Sequence, residues 1–126
     1  MRKVRIWNKT RDRVLGDAIG RADTSQTRRS GLLKRTGLAE GEGLWILPCE
    51  GIHTFFMKFP IDVVFLNKKK CVVKLVRSMG PWRMALSLRA RSVVELPAGT
   101  IEKTGTKRGD FVEISEAAAT EPASES

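Results

Sequence analysis

Ile61–Leu66, IDVVFL, is the segment that most restricts how this chain can fold. Successive side chains of a strand point to opposite faces, and here both faces are apolar apart from Asp62. Such a strand belongs at the centre of a sheet or between two layers. Pro60 precedes it, and the charged run Asn67–Lys70 supplies a turn after it. In Cys71–Arg77, the residues Cys71, Val73 and Leu75 alternate against Lys74, which suits an antiparallel partner.

The remaining segments read as short strands between turns. Val4–Trp7 alternates, Asn8–Asp12 is polar, and Arg13–Ile19 can return as the second arm of a hairpin. Thr24 or Ser25 can cap a short helix over Ser25–Leu33, made strongly cationic by Arg28 and Arg29 and weakened by Gly31. Leu44–Leu47 is an apolar strand stopped by Pro48, and Ile52–Met57 is extended. Val93–Leu96 ends at Pro97. Gly99–Thr104 fits a second short helix ended near Gly105, and Phe111–Ile114 is the last strand. The expectation is one β-rich domain over residues 1–115, a mainly antiparallel β barrel or sandwich of roughly seven or eight strands with two short helices. Ala, Ser, Glu and Pro dominate residues 116–126, which predicts a disordered acidic tail.

Charge and cysteine content narrow the function classes. Lys and Arg number 23 against 14 Asp and Glu, a formal charge of +9. A basic body invites a nucleic-acid or anionic-surface hypothesis, with the cationic helix and the N-terminal hairpin as the contact surface. Helix-turn-helix and zinc-finger patterns are missing, and no aromatic-basic interleaving marks a stacking platform. Cys49 and Cys71 stand far apart with no CxxC pair, so no metal or other cofactor is expected. The N-terminal MRKVRIWNKTRDR has no apolar core of a secretory signal, and no run is long enough to span a membrane. A cytoplasmic protein with reduced thiols is expected.

Few side chains could carry chemistry. His53 is the sole histidine, the one residue type whose unperturbed side-chain pKa lies near neutrality. It is a candidate general base or ligand at a pocket rim, or a ring hydrogen-bonded within a loop. Asp62, in a buried strand, is either paired or held by backbone N–H groups, or else orients His53. Glu95 alternates with Val94 and Leu96, and an exposed face is its simplest account. If Asp62 and Glu95 converge, they form an acid-base or metal pair. Cys49 lies near enough in sequence to make a Cys-His dyad conceivable. Phe55 and Met57 are core or pocket wall. Trp82 and Arg83 either edge a pocket, stacking and clamping an anion, or form a loop anchored by a buried Trp82. Ala98–Thr100 opens a helix whose N-terminus could meet an anion.

The runs RRSGLLKRTGLAEGEGLWI, HTFFMKFPIDVVFLN, CVVKLV, the tripeptide Pro81–Arg83 and VVELPAGTIEKTGTKRGDFVEI resemble, in order and spacing, the bacterial and archaeal family called domain of unknown function 192. The likeness runs from about Val4 to Ile114. It implies a compact, mostly antiparallel β barrel or sandwich with one or two short helices, and it implies no mechanism. Many such relatives begin with an export signal or lipid anchor, which is not expected here. Many carry Asn-Thr where this chain has Phe59-Pro60, so no role of that pair carries over. The leading expectation is a non-enzymatic binding or accessory module for a small molecule or protein. The alternatives are a hydrolase or lyase using His53 with Asp62 or Glu95, and an electrostatic nucleic-acid binder.

Overall fold

The computed structural model describes residues 1–117. Among them are nine strands and two short helices. The N-terminal half holds β1 (Lys3–Asn8), β2 (Arg13–Ala22), α1 (Ser25–Ser30), β3 (Glu42–Ile46) and β4 (Gly51–His53). The rest comprises β5 (Ile61–Leu66), β6 (Val72–Met79), β7 (Met84–Leu86), β8 (Ser92–Pro97), α2 (Thr100–Thr104) and β9 (Val112–Glu116).

Seven strands form one sheet in the order β6-β5-β8-β3-β2-β1-β9, and β4 pairs with β7 in a separate ribbon. Neighbours are antiparallel except β2 and β3, which run parallel. The sheet curls into a half-barrel. At one end its edges meet: Cys71 bridges Phe111, and the Val72 N–H donates to the Asp110 carbonyl at 2.8 Å.

Every residue of β5 is buried, because the sheet carries a core on each face. Val64 and Leu66 join Val4, Ile6, Leu15, Ile19, Trp45, Val72, Val94, Leu96 and Val112, a set drawn from all seven strands and therefore inside the curl. Ile101 of α2 plugs that inner core. Ile61, Val63 and Phe65 point the other way, onto Leu44, Ile46, Met57, Met79 and Val93. Leu32 and the ribbon residues Ile52 and Ala85 cover this outer core.

Local chemistry sets the helices. Thr24 caps α1 through a reciprocal pair, its Oγ1 accepting from the Thr27 N–H at 3.1 Å while Thr27 Oγ1 accepts from the Thr24 N–H at 3.0 Å. Gly31, at φ 47°, ends α1 at Ser30 rather than at Leu33. Leu32 is thereby free to turn inward and is buried. Gly99, at φ 97°, is the N-cap of α2.

Three expectations differ from the structure. The strand beginning at Gly51 stops at His53, because Phe56 turns into left-handed backbone at φ 67°. Met84–Leu86 forms a strand that its short sequence did not announce. The last strand runs on to Glu116, whose carboxylate holds Arg2 at 2.6 Å. The remainder of the expected tail, from residue 118, lies outside the described residues.

β3 and β8 pack so closely that Gly43 has no room for a side chain. A Cβ there would stand 2.5 Å from the Glu95 carbonyl oxygen and 3.1 Å from Leu96 Cδ2. Gly43→Ala is therefore expected to pry the two strands apart and cost about 2 kcal/mol, read as a lowered denaturant midpoint with an unchanged slope.

Candidate functional site

On the outer face a cavity of about 530 Å³ opens between α1, the chain after it and β4. Its size lies within the range of small-molecule sites. Leu32, Ile46 and Met57 give it apolar walls, Arg28 and Arg29 line it from α1, and Cys49, His53 and Glu95 complete it.

β8 supplies Glu95. Its partners in register are Leu44 of β3 and Val63 of β5, so its side chain leaves the sheet on the outer face. The expectation of an exposed Glu95 is thus corrected: only 4% of the residue is accessible. Strand alternation placed it opposite Val94 and Leu96, but that opposite face is covered by a second layer rather than by water. Among the described residues no donor reaches its carboxyl. Desolvation, which disfavours the charged form, pushes its pKa to about 7.

Cys49 is half-buried, and its Sγ donates to the Gly51 carbonyl at 3.1 Å. Burial raises the pKa of this thiol. Glu95 adds to the shift, while the Gly51 contact and Arg28 oppose it. His53 is exposed at the rim, where its Nδ1 accepts from the Phe55 N–H at 3.3 Å. In the neutral ring the proton then sits on Nε2. The ring stacks on Phe55 at 4.7 Å, and Phe55 stacks on Trp82 at 5.7 Å.

Asp62 stands apart. It pairs with Leu96 across β5 and β8, one residue out of phase with the Val63–Glu95 pair, so the two carboxyls project from opposite faces. They cannot form the acid-base or metal pair that sequence allowed. Asp62 Oδ1 accepts from the Ser78 N–H at 2.8 Å, and Oδ2 accepts from Gly99 at 3.1 Å and Ile101 at 2.8 Å. It pins the end of β6 to the start of α2 and meets neither His53 nor Arg83. The α2 N-terminus, considered as an anion site, is answered by this internal carboxylate.

Trp82 is not a buried anchor, being 60% exposed. Arg83 is also exposed. Neither lines the cavity. Of the eight residues singled out from sequence, the cavity gathers Cys49, His53, Met57 and Glu95. Phe55 joins through its stack on His53. Arg28 and Arg29 were read as part of a cationic helix that could meet nucleic acid, not as part of this cavity. Only the tertiary fold sets them on the same cavity as Glu95.

Half-barrel and cavity together define a small β domain with an outer-face pocket holding a buried carboxyl. The chain belongs to the family domain of unknown function 192, an uncharacterized ACR, whose profile matches residues 7–114. A UPF0127 protein of Thermococcus sibiricus is 33% identical over 114 residues, spanning 86% of this chain and 73% of the relative. A UPF0127 protein of Pyrococcus furiosus is 40% identical over 76 residues, 56% of this chain and 65% of that one. The crystal structure of a protein of unknown function from Novosphingobium aromaticivorans superposes with a TM-score of 0.76 at 25% identity, covering 88% of this chain and 83% of the other. Among the described residues no helix is long and apolar enough to cross a membrane.

Proposed function

We propose that this protein is a small non-enzymatic binding module whose outer-face cavity takes a dipolar small molecule. A donor group such as an ammonium meets Glu95, and an anionic group meets Arg28 and Arg29. The observation that carries this reading is Glu95 itself, a carboxyl on a buried residue that lines the cavity. A carboxyl withdrawn from water is best met by a hydrogen-bond donor, and a ligand's ammonium in the cavity supplies one. Free Cys49 and Cys71 support a reducing, cytoplasmic setting.

The test is a series of ω-amino acids of increasing chain length, with alkylamines and alkyl carboxylates as one-ended controls, followed by thermal shift and calorimetry. One member of the series should bind best. At a hundredfold excess over its Kd it should stabilise the fold by about 2.7 kcal/mol. Glu95→Gln should remove the preference for an amine, and Arg28→Ala with Arg29→Ala the preference for an acid. Binding indifferent to both changes would place the ligand elsewhere.

A second reading, hydrolase or lyase chemistry by Glu95 with His53, rests on one observation: a carboxyl poised near neutrality shares its cavity with a histidine. It expects slow turnover of a bound ester or of a substrate with an abstractable proton, lost in Glu95→Gln with binding retained.

A further inference from the structure

Two turns hold aromatic rings out in water. Phe56 is 68% exposed and Trp82 60%, and both residues have left-handed backbone, at φ 67° and 65°. That conformation is an outlier for bulky side chains and persists only where the surroundings enforce it. The enforcing residue is Thr54, fully buried between the turns. Its Oγ1 donates to the Gly80 carbonyl at 2.6 Å and accepts from the Arg83 N–H at 2.9 Å. Its carbonyl accepts from the N–H groups of Met57 and Trp82, both at 3.1 Å, and its N–H donates to the Arg83 carbonyl at 2.9 Å. The two rings meet edge-on at 4.7 Å.

The apolar display continues along β7. Met84 is 74% exposed, and Leu86 and Leu88 are exposed after it. Met84 lies opposite His53 and Leu86 opposite Gly51, so both side chains share one face of the ribbon, along a groove of about 350 Å³. Contiguous exposed apolar surface of this kind marks an interaction site. Its flanking charge is mainly positive. No Asp or Glu occurs between Asp62 and Glu95, and exposed Lys58, Arg83 and Arg89 punctuate the apolar residues. Exposed Glu50, whose carbonyl accepts from the Ser87 N–H at 2.8 Å, is a carboxylate at the end of the ribbon.

We propose that this face docks onto an anionic lipid surface. Phe56 and Trp82 enter the boundary between headgroups and acyl chains, and Lys58, Arg83 and Arg89 meet the lipid phosphates. Apolar insertion combined with flanking cations is the chemistry of interfacial membrane binding. A second copy of the chain would set one cationic rim against another, which is unfavourable. Single-stranded nucleic acid is held on stacking faces, for which aliphatic Met84, Leu86 and Leu88 are poorly suited.

The test is co-sedimentation of the full chain with vesicles of phosphatidylcholine alone and of phosphatidylcholine mixed with phosphatidylglycerol, with tryptophan fluorescence as a second readout. The chain should bind the anionic vesicles, blue-shift its emission there, and dissociate as salt rises. Arg83→Gln with Arg89→Gln should weaken partitioning about thirty-fold, from the contribution of two cations near an anionic surface. Phe56→Gly with Trp82→Gly should abolish it without lowering the melting temperature, because glycine adopts the left-handed backbone freely. Met84→Gln leaves both turns intact and should weaken partitioning about ten-fold. Failure to bind anionic vesicles, or equal binding to both kinds, overturns the proposal. So does self-association in light scattering, or oligonucleotide binding, that disappears in the Phe56→Gly, Trp82→Gly variant.

Discussion

Asp62→Ala is expected to lower the unfolding free energy by about 4 kcal/mol, since three N–H groups, one buried and two partly buried, lose a charged acceptor at roughly 1–3 kcal/mol each. Those donors belong to Ser78, Gly99 and Ile101, at 2.8–3.1 Å. They come from two segments distant in sequence, the end of β6 and the start of α2. Losing the carboxylate therefore also loosens Ile101, which plugs the inner core. For a chain of this size the melting temperature should fall by roughly 15 °C. Asp62→Asn keeps one acceptor oxygen and should cost about half as much. Calorimetry of both variants checks the order. An Asp62→Ala protein as stable as wild type would mean that the three N–H groups find water and that the pin is not structural.

The second large effect concerns Glu95 and pH. Its folded pKa is raised to about 7 from an ordinary 4.5. The folded state therefore holds a proton that the unfolded chain has released, and stability must fall as pH climbs between those two values. The full loss is about 3 kcal/mol. It is absent below the ordinary carboxylate pKa and complete above about pH 7. Glu95→Gln should match wild type near pH 4.5, show no such decline, and exceed wild type by about 3 kcal/mol in mild alkali. Denaturant titrations across this range measure the difference directly. A cationic ligand in the cavity should reverse the trend, because an ammonium beside the carboxyl favours its charged form.

Asp110 acts at a different pH and with the opposite sign. Burial by itself would raise its pKa, but hydrogen bonds from Arg11, Asn8 and the Lys107 N–H outweigh burial and hold it low. The stability it contributes is lost only as pH falls through that lowered value. The two carboxyls can therefore be separated in one titration.

Much of the architecture was legible because its causes are local. An apolar run such as Ile61–Leu66 has only one solution, burial on both faces, and β5 is the strand with a core on each side. Thr24 and Thr27 cap α1 through atoms three residues apart. Asn67 closes the turn to β6 by accepting from the Lys69 and Cys71 N–H groups. The family resemblance, carried by runs across the whole body of the chain, was legible for the same reason: order and spacing survive in one dimension.

What sequence alone determined about this protein is thus the strand periodicities, the turns, the helix caps and the family. The tertiary structure decided which faces meet water. Glu95 alternates with Val94 and Leu96 as a solvent-facing residue would, yet the β4–β7 ribbon and Leu32, drawn from three separate segments, close over its face. Trp82 has the composition of a core residue, yet Thr54, distant in sequence, forces its turn outward. Alternation reports only that two faces differ. Whether the second is wet, buried or part of a cavity depends on what else folds against it, and that is a property of contacts between residues far apart in the chain.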